Sequence, residues 1–175
     1  MKVSGVITEY NPFHNGHKYQ LDKIREENHA DYIIVAMSGN FVQRGTPAFI
    51  DKYTRAEMAL NCGADLILEI PVLGATASAE GFARAGVLTL ASTGILSTLC
   101  YGVEKKSGLL SELADFLASP CEKFNDILTS CIKSGDSFPA ARAKAMSRCF
   151  PDASNELIQN ILSTPNNILA IEYEK

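Results

Sequence analysis

The sequence predicts an α/β fold, a parallel β-sheet followed by a helical appendage, and three observations carry that prediction. Over the first hundred residues a short apolar β-rich run, a turn and a helical pattern recur in that order. After about Ser107 the strand-like runs stop and only helix-like stretches remain. Hydrophobic residues make up 46% and charged residues 21% of the 175, which suits a packed globular chain and excludes a disordered or low-complexity one.

Residues 3–9 open the chain as a strand, broken by Pro12 and Gly16. A helix follows over 17–29, with Leu21, Ile24 and the stem of Arg25 on one side and Asp22, Lys23, Glu26 and Glu27 on the other. Residues 31–38 hold Tyr-Ile-Ile-Val-Ala-Met, a run suited to a strand buried on both faces. The stretch 39–50 is a loop, broken by Gly39, Asn40, Arg44, Gly45 and Pro47. Asp51 caps a helix that runs to about Asn61 and packs through Ala56, Ala59 and Leu60. A third strand covers 64–70 and stops at Pro71; the small residues of 78–92, Gly86 among them, let a helix approach the sheet closely. A fourth strand over 95–101 ends at Gly102. Such alternation joins parallel strands by right-handed crossovers, although it does not reveal their order.

Helices are then expected over 107–118, 121–134, 139–150, 154–162 and 165–175, punctuated by Pro120, Gly135, Pro139, Pro151 and Pro165. Pro139 falls near a first helical position. The last helix stops without Gly, Asn or a polar tail, so either it frays at the terminus or the polypeptide continues beyond Lys175.

Composition narrows the function classes. Sixteen basic and twenty acidic residues give a net charge of −4, so any nucleic acid would be held by a local patch. Five cysteines without a Cys-x-x-Cys pair read as reduced thiols, small buried hydrophobes rather than a zinc site. No apolar run approaches a membrane span and the first residues lack signal-peptide character, which predicts a cytoplasmic protein without a membrane partner.

The chemistry concentrates in Asn11-Pro-Phe-His-Asn-Gly-His17, directly after the first strand. Ligands of open α/β sheets bind at the carboxyl ends of strands, and a helix start there favours phosphate. His14 and His17 with the free amides near Gly16 would form a donor-rich cradle for a triphosphate. Zinc is a rival for the pair, but a third and fourth ligand do not accompany it.

A strand followed by His-x-Gly-His resembles the signature of the nucleotidyltransferase superfamily. The longer segments 5–21, 37–48, 51–59, 63–71, 78–83 and 166–173 resemble the tRNA(Met) cytidine acetate ligase family, in order along nearly the whole chain. That resemblance implies a Rossmann-like sheet of nucleotidyltransferase type, with an ATP-binding domain over 1–106 and a helical region over 107–175 that is incomplete at its carboxyl end. It implies activation of acetate by ATP to acetyl-AMP, then acetyl transfer to N4 of the wobble cytidine of elongator tRNA(Met). Members are usually over twice this length.

The family's ATP-binding stretch falls on Ile7, Thr8, Glu9, Tyr10, Asn11, Pro12, Phe13, His14, Asn15, Gly16, His17, Lys18, Tyr19 and Gln20, with His14 and His17 as the catalytic pair facing the phosphates. Gly102 and Asn167 match nucleotide-contacting residues, and Asn166 either shares that role or caps the last helix. Glu174 stands where members usually carry an apolar residue. Ser38, Gly39, Asn40, Arg44 and Lys52 are candidates for an acetate or phosphate pocket, and Arg55 adds positive charge around the same loop unless it pairs with Asp51. Asp65 and Glu69 are charges in an apolar strand, Glu69 being the better pocket candidate. Magnesium is inferred from the triphosphate, without a motif of its own. Two rivals stand beside this reading: another small-molecule adenylyltransferase, and a non-catalytic ATP- or RNA-binding module.

Overall fold

The computed structural model describes residues 1–104, 108–150 and 156–175, with the backbone of 155. The helix starts expected at 107 and 154, Pro151, and the domain boundary expected between 106 and 107 lie outside the described residues. The chain divides into two compact units, Met1–Gly102 and Val103–Lys175.

The first unit is a four-stranded parallel sheet in the order β3-β2-β1-β4, formed by β1 (Val3–Thr8), β2 (Tyr32–Ser38), β3 (Leu66–Ile70) and β4 (Thr98–Leu99). The central pair is in register from Val3 opposite Tyr32 to Thr8 opposite Met37. These two strands carry the apolar core, with Val3, Val6, Ile33, Val35 and Ala36 shut off from solvent. Helices α1 (Asn15–Asn28), α2 (Lys52–Asn61), α3 (Val72–Ala75) and α4 (Ala79–Ala91) connect the strands. Leu21 and Ile24 of α1 are buried as the periodicity requires. α4 approaches β1 closely because residue 86 is glycine: a Cβ there would stand 2.6 Å from Ile7.

Four departures from expectation have local causes. α1 begins two residues early, because His14 caps it. β4 is a two-residue edge strand, having one neighbour, although Ser97 N–H to Val3 O and Cys100 N–H to Gly5 O (both 2.8 Å) extend its attachment. α3 follows Pro71 in a stretch too short to show a period. None of the cysteines is fully buried, and Cys121 is exposed at the N-cap of a helix, where neighbours cannot surround it.

The second unit contains α5 (Leu109–Ala118), α6 (Glu122–Lys133), α7 (Phe138–Cys149), α8 (Asn155–Ser163) and α9 (Pro165–Glu174). Its own core gathers Leu113, Phe124, Met146, Ile158, Ile161 and Ile171. Arg142 reaches the shielded carboxylate of Glu172 at 3.1 Å, tying α7 to α9. α9 starts on Thr164, not on Asn166. Asn166 and Asn167 instead donate their main-chain N–H groups to the Glu104 carboxylate, both at 3.2 Å. No described helix is long and apolar enough to cross a membrane.

Candidate active site

β1 delivers the chain to the carboxyl edge of the sheet, where the backbone turns sharply: Tyr10 takes a positive φ of 46° and the Asn11–Pro12 bond is cis. Tyr10 N–H bonds back to Thr8 Oγ1 at 3.3 Å. The Tyr10 ring is buried, edge-on to Phe13 at 4.8 Å and against His17 at 4.7 Å. Its hydroxyl has no partner among the described residues, and burial pushes that phenol well above its ordinary pKa.

His14 and His17 cap α1 reciprocally. Gly16 N–H donates to His14 Nδ1 at 3.1 Å, and His14 N–H donates to His17 Nδ1 at 3.2 Å. The rings stack with centroids 3.6 Å apart and planes inclined by 20°. An imidazole nitrogen that accepts a hydrogen bond carries no proton, so each ring is the tautomer with its proton on Nε2. Both therefore keep one N–H donor beyond those used by the cap. Burial, reinforced by repulsion from His14, lowers the His17 pKa to about 4, which holds this ring neutral at pH 7. A helix start lined by neutral donors is suited to developing anionic charge.

The other residues of the stretch have separable duties. Ile7 packs under α4. The Glu9 carboxylate accepts Gln43 N–H at 2.8 Å and Asn11 Oδ1 accepts Phe49 N–H at 2.6 Å, fastening the β2–α2 loop to the histidine turn. Asn15 and Gly16 lie exposed in the first turn of α1, after exposed Pro12. Lys18 pairs with Asp22 at 2.6 Å, and exposed Tyr19 lies below the Lys23 ammonium. Gln20 lines a groove of about 400 Å³ between α1 and β4, with Ile24, Asn28, Cys100 and Tyr101.

Arg55 is the residue that sequence reasoning misplaced. Expected as a surface cation or as the partner of Asp51, it is fully buried. Its Nε donates to Ile50 O at 2.9 Å, Nη1 to Glu9 O at 2.5 Å, and Nη2 to Gly39 O. One guanidinium thus joins the ends of β1 and β2 to the start of α2, a task its planar fork of donors suits. Burial lowers its pKa, opposed by the charges of Glu9, Asp51 and Glu69. Asp51 caps α2 instead, accepting Tyr53 and Thr54 N–H at 3.0 Å and the Thr54 hydroxyl at 2.6 Å; the Thr54 bonds hold its carboxyl below the usual range. The available signal was the spacing from Arg55 to Ala59, which puts both on one helical stripe.

Among the pocket candidates, Ser38 ends β2 with a buried hydroxyl that has no partner among the described residues. Gly39 leaves space filled by Glu69, whose Oε1 would stand 2.1 Å from a Cβ there. The second Glu69 oxygen meets Lys52 Nζ at 2.6 Å. Asn40 is exposed at the base of the following loop and Arg44 at its tip, with φ of 70°. Asp65, at the opposite end of β3, accepts Ile33 N–H at 2.6 Å and pairs with Arg25, so it serves the scaffold. Gly102 follows β4 with open space around its missing Cβ and no positive φ, so packing does not demand glycine. Asn167 belongs to the second unit, buried, with Oδ1 accepting Glu104 N–H at 3.3 Å. No group of three or more His, Cys, Asp or Glu among the described residues is placed to hold a metal.

Known proteins match this arrangement throughout. The chain is 46% identical to the tRNA(Met) cytidine acetate ligase of Syntrophomonas wolfei over 99% of its own length and 42% of the relative's. It is 44% identical to that of Clostridium novyi over its full length and 44% of the relative. It therefore spans less than half the length of these curated relatives. The crystal structure of Thermotoga maritima TmcAL bound with alpha-thio ATP superposes with a TM-score of 0.92 at 44% identity, covering 99% of this chain and 42% of that one. A family description, HIGH Nucleotidyl Transferase, matches residues 1–175, and the chain belongs to that family.

Proposed function

We propose that this chain carries the adenylate-forming part of a tRNA(Met) cytidine acetate ligase. The observation that carries the reading is the reciprocal cap of His14 and His17, two neutral rings with an Nε2–H each at the positive end of α1. An acetate oxygen attacks the α-phosphorus of ATP, the bond to the bridging oxygen breaks, and pyrophosphate leaves acetyl-AMP behind. Acetate is already ionised near neutrality, so this step needs positioning and charge stabilisation rather than a base. His14 and His17 donate to phosphate oxygens as charge builds, within the stretch from Ile7 to Gln20. Gly102 leaves room for the nucleotide, and Ser38, Gly39, Asn40 and Lys52 serve the acetate or phosphate side.

In the second step N4 of the wobble cytidine of elongator tRNA(Met) attacks the acetyl carbon, AMP departs, and the amine releases one proton. Magnesium arrives with its substrate as Mg-ATP, bound mainly by phosphate oxygens. The reaction belongs to the cytoplasm, where its tRNA resides. Similarity to ligases over the whole chain, and to a homologue that binds an ATP analogue, supports this reading. Acetate-dependent ATP–pyrophosphate exchange tests it. Exchange that requires acetate is the expected result; exchange driven by another small acid, or none, refutes it.

A further inference from the structure

The loop between β2 and α2 carries exposed aromatic rings that the adenylation chemistry does not use. Of the six exposed Phe and Tyr rings among the described residues, three fall between positions 41 and 53. Phe49 is 83% exposed, Tyr53 77% and Phe41 44%. Isolated exposed rings are ordinary, whereas a cluster on one segment points to a partner.

The segment is not a loose tether. Phe41 and Pro47 form an antiparallel bridge, Val42 N–H bonds to Thr46 O, Gly45 N–H to Val42 O and Ala48 N–H to Asn40 O, each at 2.9 Å. Val42 is buried beneath this hairpin. Glu9 and Asn11 fasten it from the histidine turn, the second directly at the amide of Phe49. The exposed phenyl ring is therefore held beside the phosphate-facing turn, its backbone already ordered.

Charge within the segment favours an anionic partner. Of the charged residues in 39–52, Asp51 is engaged as a helix cap and Lys52 in its pair with Glu69. Arg44 remains exposed at the hairpin tip, without an ion pair among the described residues, on a left-handed backbone that an L-residue rarely adopts. Flat apolar rings and an unmatched guanidinium on one segment are the combination that binds single-stranded nucleic acid: bases stack on the rings and phosphate meets the cation.

We propose that Phe49, flanked by Phe41 and Tyr53, is a stacking surface for an unpaired base of the RNA substrate, with Arg44 answering an adjacent phosphate. The inference rests on the reading above for the identity of the RNA, but not for the chemistry of the surface. Phe49 is exposed enough that its replacement should leave folding intact.

The test is fluorescence anisotropy of a labelled single-stranded RNA of about ten nucleotides, titrated with the wild-type chain and with Phe49→Leu and Phe49→Tyr. Leucine keeps apolar area and loses the π face, whereas tyrosine keeps both. Phe49→Leu should bind roughly tenfold more weakly and Phe49→Tyr within about twofold of wild type. An abasic oligomer of equal length should not distinguish the three. Calorimetry with Mg-ATP should give the same affinity for wild type and Phe49→Leu. Equal RNA binding by Phe49→Leu and wild type overturns the proposal, as does failure of the wild type to bind the RNA. Loss of ATP affinity in Phe49→Leu overturns it too, assigning the ring to adenine. Absence of acetate-dependent exchange, with base-dependent RNA binding retained, would refute the adenylating reading and leave this surface standing.

Discussion

Two helices of this chain carry in their first turn residues that the resemblance assigns to a nucleotide, and they meet the charge of a helix start in opposite ways. α1 is capped by two neutral imidazoles, which leave its positive end able to receive an anion. α9 already has an anion: the Glu104 carboxylate accepts the N–H groups of Asn166 and Asn167. A phosphate approaching α1 meets donors, and one approaching α9 meets a carboxylate. The two helix starts thus differ, one open and one closed.

The largest expected effect concerns what holds the open start in shape. Arg55 joins Glu9, Gly39 and Ile50 through their carbonyls, so Arg55→Met strands one buried and two partly buried acceptors and should lower stability by about 3 kcal/mol or more. Urea unfolding followed by tyrosine fluorescence reports on this unit, because five of the six tyrosines lie in it. A wild-type midpoint for the variant would show that the guanidinium is dispensable.

The histidines come next. His14→Ala or His17→Ala should each reduce acetate-dependent exchange about a hundredfold, the loss typical of one donor to a developing charge. The same changes should lower stability by only about 1 kcal/mol, as loss of a helix cap does. Exchange at the wild-type rate in both variants would mean that the open helix start is not where the phosphates sit.

A smaller effect is expected at the closed start. Glu104→Gln removes the anion from α9 and should weaken that end by about 1 kcal/mol, near a fivefold faster hydrogen exchange at the Asn166 and Asn167 amides. Unchanged protection of those amides would show that the carboxylate adds nothing to the cap.

The residues themselves explain why part of this was legible in the sequence. The alternation of apolar runs with helical stripes marks β1 and β2 well, because central strands of a parallel sheet are apolar on both faces, and β3 is apolar enough to read as a strand although it lies at the other edge. β4 reads longer than it is, since 95–101 is apolar enough for a strand but sits at an edge with one neighbour. The strand order is set by which surfaces pack, and no local pattern encodes that. At the site, the spacing of His14 and His17 shows a helix start, yet their tautomers depend on which nitrogen accepts from the backbone. Arg55 looked like a surface charge because its partners are main-chain carbonyls, which leave no trace in side-chain identity.

The finest expected effect is the pH response of the open helix start. His17 is lowered to about 4 in the folded chain, against 6.5 for an unhindered histidine, by burial first and by His14 second. Between those values the unfolded chain binds a proton at this position that the folded chain refuses. Stability therefore rises with pH across that window. The contribution of His17 is complete above about 6.5 and is lost as pH falls toward 4. Urea midpoints of wild type and His17→Gln, compared from pH 7.5 to 4.5, should converge or cross as acid removes the wild-type advantage. Exchange activity should show no inflection from His17 between pH 5 and 8, since the ring stays neutral throughout. An inflection near 6.5 that disappears in His17→Gln would mean that this imidazole titrates like an ordinary one. The picture of two neutral donors would then fail, and the helix start would carry a positive charge of its own.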